Sequence, residues 1–136
     1  ISDHGEWRHL HWNAIASAYG SSPFFEYYQD DIRPFFEKRY EFLLDFNEEI
    51  RRTVCDLIGL EPHIEYSSSY SEPAPGETDL RDAIHPKKRK AETILSVQPK
   101  PYYQVFSEKY GFQPDLSIID LLMNMGPESI LILQNA

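Results

Sequence analysis

The fold is decided by residues 40–60, which read "YEFLLDFNEEIRRTVCDLIGL". The apolar side chains of this stretch recur at steps of three and four residues: Leu43, Phe46, Ile50, Val54 and Leu57. Such steps place them on one face of an α-helix. Charged side chains occupy the opposite face, where Glu48 and Arg52 have the spacing of an i,i+4 ion pair. Glycine commonly ends helices, so we expect a long amphipathic helix that stops at Gly59.

A second helix is expected upstream, over residues 4–19. Asp3 and Glu6 have the spacing of a capping box, and apolar residues follow at helical spacing. Between the two helices the motif Pro-Phe-Phe-Glu occurs twice, beginning at Pro23 and at Pro34. Proline is favoured at the first position of a helix. We therefore interpret the motifs as two short helix starts rather than a repeat or an aromatic binding surface.

The remainder of the chain predicts a loop-rich arm followed by further helices. Residues 61–101 are rich in proline and glycine, and only residues 63–70 alternate well enough for a short strand. In residues 102–136, Ser117 and Asp120 have the spacing of a second capping box. Ile130, Leu131 and Leu133 are expected to be largely buried. The predicted fold is mainly α: residues 1–136 form one domain, a small helical bundle with at most one short strand pair.

Composition and charge exclude several classes of protein. The formal net charge is −9, and an acidic body disfavours binding to nucleic acid. No apolar run is long enough to span a membrane. Cys55 is the only cysteine, which excludes an internal disulfide and favours a reducing, cytoplasmic compartment. The chain does not begin with methionine, so we expect it to be a processed or trimmed piece of a longer protein.

Candidate catalytic residues are few. His9 and His11 are two apart, a spacing that points them to different sides of a helix, so no metal site is predicted, and no cofactor motif is present. His11 lies on the apolar stripe of its helix, as a core histidine or as a proton acceptor in a cleft. On one helical turn, Arg81, Asp82 and His85 would share a face and provide a base with an anion clamp; a solvated charged turn is the alternative.

Two further groups of residues have a functional and a structural interpretation. Lys87 begins a run of four basic residues that could hold a phosphate, although such runs are commonly solvated loops. Aromatic residues are dense between positions 12 and 36, namely Trp12, Tyr19, Phe24, Phe25, Tyr27, Tyr28, Phe35 and Phe36. They could stack on sugars or nucleobases, but we expect most of them to form the core, because aromatic side chains dominate core packing.

Several motifs in one order resemble the WbqC-like protein family of bacteria. They are His11-Trp12, the first Pro-Phe-Phe-Glu, "PYYQVF" from Pro101 to Phe106, and "GFQPDLSIIDLLMNMGP" from Gly111 to Pro127. The matching positions include His11, Tyr19, Tyr102, Gln104, Phe112, Ser117, Asp120 and Asn124. The resemblance implies that the chain is the C-terminal part of a longer protein of this family. It also implies a place in surface-polysaccharide (O-antigen type) biosynthesis, and it implies no catalytic role for any residue. Helix capping explains Ser117 and Asp120, which leaves Tyr102 and Gln104 as the better candidates for ligand contact.

Two hypotheses follow. In the first, the protein transfers a small group onto a nucleotide-linked amino sugar or another glycan precursor. His11 or His85 would then be the base, with Asp82 orienting His85. Arg81 with Lys87–Lys90 would be the phosphate clamp, and Tyr19, Tyr102 and Gln104 the substrate contacts. In the second, it is a non-catalytic helical module that binds a biosynthetic partner protein through its acidic face. Convergence of the two histidines with Tyr102 and Gln104 would favour the first hypothesis.

Overall fold

The computed structural model describes residues 1–81 and 100–134. The helices are α1 (Trp7–Tyr19), α2 (Phe25–Ile32), α3 (Leu43–Ile58), α4 (Ser107–Tyr110), α5 (Ile118–Met125) and α6 (Ser129–Gln134). Short 3-10 turns at His4–Glu6, Arg33–Phe36 and Gly126–Glu128 adjoin them. The predicted mainly α fold is confirmed.

The chain divides into two units: residues 1–62 with 99–136, and residues 63–98. Every helix formed by the described residues lies in the first unit. In the described part of the second, residues 63–81 are exposed and form neither helix nor strand, so the strand expected over residues 63–70 is wrong. Alternating side chains do not make a strand unless a neighbouring strand accepts its backbone hydrogen bonds, and the described residues provide none.

The start of α1 differs from the predicted capping box. Asp3 makes no cap hydrogen bond, because the chain turns through left-handed conformations at Gly5 (φ +73°) and Glu6 (φ +50°). The carboxylate of Asp3 is instead hydrogen-bonded to Arg8, and this contact holds the pKa of Asp3 below its ordinary value. The helix itself follows the expected range.

Both Pro-Phe-Phe-Glu motifs start a helical segment, as predicted. The first precedes α2, and Pro34 lies in the first turn of the 3-10 segment that follows Ile32. Phe25 and Phe35 are buried. Trp12 stacks against Phe25 with ring centroids 6.1 Å apart, so core packing is the role of these aromatic residues.

Helix α3 follows the predicted pattern except at its first turn. Leu43 is 60% exposed, because the helix begins there and its first turn extends beyond the core. Arg51 rather than Arg52 pairs with Glu48, at 2.6 Å. Gly59 ends the helix in the left-handed conformation (φ +78°), and its N–H bonds to carbonyls of the last turn.

The core brings the two ends of the first unit together. Its buried members are Phe25, Ile32, Val54, Ile58, Leu122 and Met123, from α2, α3 and α5. Gly126 ends α5 at φ +54°, and a Cβ there would lie 2.5 Å from the ring of Phe24. Only glycine permits both this conformation and this close approach.

Helix α6 is less buried than expected. Ile130 packs against the core, but Leu131 and Leu133 are 53% and 37% exposed. The helix has only six residues and presents a single face to the core. The prediction that all three side chains are largely buried is therefore wrong for Leu131 and Leu133.

Candidate functional site

Asp120 is the centre of a buried polar cluster. It lies in the first turn of α5 and is 5% exposed. The hydroxyl of Tyr102 donates a hydrogen bond to Asp120 Oδ2 at 2.7 Å, and the amide of Gln104 donates to the same oxygen at 3.1 Å. Tyr19, at the end of α1, is partly buried and lies close enough to Asp120 for the charge of that carboxylate to raise its pKa. We call Tyr19, Tyr102, Gln104 and Asp120 the Asp120 cluster.

The environment keeps both tyrosines of the cluster protonated. Burial, followed by the charge of Asp120, raises the pKa of Tyr19 to about 12. Burial and the hydrogen bond to Asp120 likewise raise the pKa of Tyr102 to about 12. An ionised phenol beside a carboxylate would be repelled by it. At neutral pH the two side chains are therefore uncharged, and the hydroxyl of Tyr102 holds the carboxylate in place.

We call the polypeptide segment from Tyr102 to Gln113 the strap. Hydrogen bonds made by side chains of the strap and of α5 fix its position on α5. The amide of Gln104 donates to the carbonyl of Gln113 and accepts from its N–H, both at 2.9 Å. Asn124 accepts from the N–H of Val105 at 2.9 Å and donates to the carbonyl of Asp120 at 2.8 Å. The backbone groups in these bonds have no partner within a strand or a long helix. Because side chains satisfy them instead, these hydrogen bonds determine the path of the strap.

A cavity of about 150 Å³ lies between the strap and the start of α5. The walls of the cavity are mostly apolar. Gln104 and Asp120 of the Asp120 cluster line it, together with Val105, Phe106, Tyr110 and Leu116. Apolar walls with a few placed polar groups are typical of small-molecule sites. The arrangement can bind a small ligand group and orient it by hydrogen bonds.

Three of the residues predicted as substrate contacts meet in this cluster. They are Tyr19, Tyr102 and Gln104, and more than eighty residues separate Tyr19 from the other two along the chain. Sequence reasoning missed Asp120 itself, because capping seemed to explain it. Ser117 does cap α5, accepting from the N–H of Ile119 at 3.3 Å, but the carboxylate of Asp120 points to the strap. The sequence feature that could have identified Asp120 is its spacing from Asn124: these two polar residues lie four positions apart in an otherwise apolar helix.

His11 is not part of the Asp120 cluster. Its side chain is exposed rather than in the core, and its ring lies edge-on to Trp7, 5.4 Å between centroids. The apolar stripe of α1 that packs on the core contains Trp12, Ile15 and Ala16 instead. His11 occupies the edge of that stripe, so the prediction of a core histidine is wrong, while its role as a proton acceptor stays a prediction.

Arg81 has partners of its own in the second unit. Its guanidinium donates to both carboxylate oxygens of Asp79, at 2.6–3.1 Å, and lies 4.7 Å from the ring centroid of Tyr70. The hydrogen bonds to Arg81 lower the pKa of Asp79 to about 2. These contacts occupy donors that the predicted phosphate clamp would use. Asp82, His85 and Lys87 lie outside the described residues.

Two wider properties of the described ranges bear on the class of site. Within residues 1–81 and 100–134, no three His, Cys, Asp or Glu side chains are grouped so that they could hold a metal ion. Across the same ranges, every helix is too short or too polar to cross a lipid bilayer.

Comparisons with known proteins give a family and an uncharacterized relative. A model of the WbqC-like protein family matches residues 1–98 and 90–132, which together span most of the chain. The uncharacterized protein Rv1507c of Mycobacterium tuberculosis is 24% identical over 151 residues, covering 95% of this chain. The chain spans 65% of the length of that relative. No solved structure matches the chain.

Proposed function

The chain belongs to the WbqC-like protein family, and on that premise we propose that it binds the sugar of a nucleotide-linked sugar in bacterial surface-polysaccharide (O-antigen type) biosynthesis. The pathway is the one that the family resemblance implies. The observation that supports a binding role is the meeting of Tyr19, Tyr102 and Gln104 at Asp120, beside a cavity of about 150 Å³.

The hydrogen-bonding capacity of the cluster suits a sugar. A carboxylate has about four acceptor sites, and a tyrosine hydroxyl both donates and accepts. Sugar hydroxyls also donate and accept, so Asp120 and Tyr102 can each bond to one. Tyr102 and Phe112 meet edge to face, with centroids 5.3 Å apart, so the phenol ring has a fixed position. A fixed ring loses little conformational entropy when a ligand binds.

A thermal-shift screen of the full-length protein against nucleotide-linked sugars tests this proposal. We expect at least one of them to raise the melting temperature in proportion to its concentration. Tyr102→Phe should weaken the binding of that sugar about fivefold, because it removes one hydrogen-bonding hydroxyl. Tyr103→Phe is the matched control, since Tyr103 is the neighbouring residue and is 54% exposed. A panel in which no sugar stabilises the protein would exclude the proposed ligand class.

Transfer of a small group onto the bound sugar is the catalytic form of the proposal. Its candidate bases are His11 and His85, the latter oriented by Asp82, and its candidate phosphate contacts are Arg81 and Lys87. The contacts of His11 with Trp7 and of Arg81 with Asp79 give the transfer step less support than the binding step. Loss of turnover in His85→Ala with unchanged sugar binding would support transfer, and unchanged turnover would remove His85 from it.

A non-catalytic role in binding a biosynthetic partner protein is the second candidate. Phe42, Leu43 and Leu44, at the start of α3, are 60%, 60% and 62% exposed. Three consecutive exposed apolar side chains are unusual unless they contact another molecule. Under this candidate, Leu43→Ser with Leu44→Ser should abolish co-purification of the partner without changing sugar binding. An unchanged complex would argue against this surface as the contact.

A further inference from the structure

The carboxylate of Asp120 is buried without a cation beside it. Its hydrogen-bond donors are Tyr102 and Gln104, and Tyr19 lies nearby; all three side chains are neutral. Among the ion pairs of residues 1–81 and 100–134, none includes Asp120. Burying a charge is costly unless an opposite charge compensates it. Asp120 is therefore the acidic member of an ion pair that has no basic member among the described residues, and a cationic ligand can supply that member.

The cavity beside Asp120 suits a cation better than an anion. In the described part of the chain no lysine or arginine lines it, whereas Asp120, Phe106 and Tyr110 do. The faces of aromatic rings attract cations, and the ammonium of Lys109 already lies 5.0 Å from the ring centroid of Tyr110. Phe106 is 49% exposed and has no aromatic or cation contact among the described residues. Its ring is thus available to a second cation.

From these observations we infer that the cavity binds the protonated amine of the ligand. One ammonium N–H donates to Asp120, whose carboxylate has about four acceptor sites and two observed side-chain donors, both on Oδ2. The ring of Phe106 contacts the ammonium from the side. At about 150 Å³ the cavity is smaller than a typical ligand pocket of about 300–1,000 Å³. It therefore holds the amine and the adjoining carbons, while the rest of the ligand lies outside.

The inference rests on the proposed function for the identity of the whole ligand, which becomes a nucleotide-linked sugar with a free amine. An acylated amine has no charge to pair with Asp120 and adds a polar carbonyl in front of a carboxylate. A hydroxyl in the same position donates one neutral hydrogen bond. Charge-assisted bonds are about twice as strong as neutral ones. We therefore expect the free amine to bind about tenfold more tightly than either alternative.

The amine site can be tested without any sugar. The full-length protein is titrated with methylammonium chloride and, in parallel, with acetamide at the same ionic strength, and the side-chain amide resonances of Gln104 are followed by NMR. Because that amide donates to Asp120 at 3.1 Å, methylammonium should shift it in a saturable manner and acetamide should not. Absence of a saturable shift with methylammonium, or an equal response to both compounds, overturns the inference.

Two variants test whether the methylammonium response arises at Asp120 and Phe106. Asp120→Asn removes the charge and should abolish the methylammonium response in a protein that remains folded by circular dichroism. Should that variant unfold, Phe106→Leu supplies the test, because it retains an apolar side chain and loses the ring face. It should weaken methylammonium binding about threefold. Tyr27→Leu is the control, since Tyr27 is 75% exposed on α2. Wild-type affinity in Phe106→Leu would contradict the role of the ring.

A calorimetric comparison separates this inference from the proposed function. The ligands are glucosamine, N-acetylglucosamine and glucose, each linked to uridine diphosphate. Tighter binding of the glucosamine compound by about tenfold supports both statements. Equal binding of all three, or a preference for a neutral sugar, overturns the amine site and leaves the sugar-binding proposal standing. If none binds while methylammonium does, this class of sugar fails and the amine site stands.

Discussion

At the scale of single residues, one carboxylate decides what the site can do. Asp120 could be read from the sequence as part of a capping box, and Ser117 does cap α5. The carboxylate nevertheless accepts from Tyr102 and Gln104. Sequence spacing identifies residues that are able to cap a helix, but it does not reveal a hydrogen-bond donor that comes from a distant segment of the chain. A buried donor competes well with the end of the helix for the carboxylate, because leaving that donor unpaired costs about 1–3 kcal/mol.

Asp120→Ala should destabilise the protein strongly. It removes the acceptor of Tyr102 and Gln104, and Gln104 is only 5% exposed, so water does not fully replace the lost bond. We expect the free energy of unfolding to fall by about 3 kcal/mol, as measured by urea denaturation. Glu128→Ala is the control because Glu128 is exposed, and it should change stability by less than about 0.5 kcal/mol. Equal effects of the two substitutions would contradict the account.

Stability should also fall at alkaline pH because of Tyr102. Its pKa is raised to about 12 in the folded protein, whereas an unfolded tyrosine ionises near pH 10. Between these values the unfolded chain binds fewer protons, so stability is complete below about pH 10 and is lost towards pH 12. Urea midpoints at about pH 9.5 and 11.5 measure the loss. Tyr102→Phe should show a smaller loss than Tyr103→Phe, and equal losses would argue against the shift.

At the scale of elements, the strap and α5 form the site together. The helices themselves were predictable, since the three-and-four spacing of apolar residues identifies α1 and α3 and their approximate ends. The path of the strap was not, because side chains rather than periodic backbone bonds fix it. Gln104 bonds to Gln113 on the strap itself, and Asn124 reaches Val105 from α5. Neither pairing leaves a repeating pattern in the sequence.

Asn124→Leu tests whether α5 holds the strap. The substitution removes the acceptor of the Val105 N–H, which Asn124 Oδ1 bonds at 2.9 Å. Amide hydrogen exchange at Val105 should therefore become faster by at least tenfold, in line with the loss of one buried hydrogen bond. Asn13→Leu is the matched control, because Asn13 is exposed on α1 and contacts His9. Unchanged exchange at Val105 would show that the strap is held by other contacts.

At the scale of the whole molecule, the site depends on the two ends of the chain packing as one unit. Residues 1–62 and 99–136 form that unit, and Leu122 and Met123 of α5 join the core of α2 and α3. The sequence predicted the fold class because apolar spacing is a local property. It did not predict the meeting of Tyr19 with Tyr102, since that depends on how distant helices pack.

Leu122→Ala should therefore disturb the far end of the sequence. Leu122 is fully buried, so the change should cost about 2–5 kcal/mol. The tryptophans, Trp7 and Trp12, lie in α1, and their fluorescence should report the lower stability in a single unfolding transition. Leu10→Ala, at a residue 59% exposed on α1, should have little effect. A tryptophan signal that is unchanged by Leu122→Ala would mean that the two ends fold separately.

The central claim is that Asp120 joins groups from distant parts of the chain, and a double-mutant cycle of Tyr102→Phe with Asp120→Ala tests it most directly. The quantity measured is the free energy of unfolding of the wild type, both single variants and the double variant. Because the two side chains share a hydrogen bond of 2.7 Å, we expect an interaction energy of about 1–2 kcal/mol. Effects that add to within about 0.3 kcal/mol would contradict the claim.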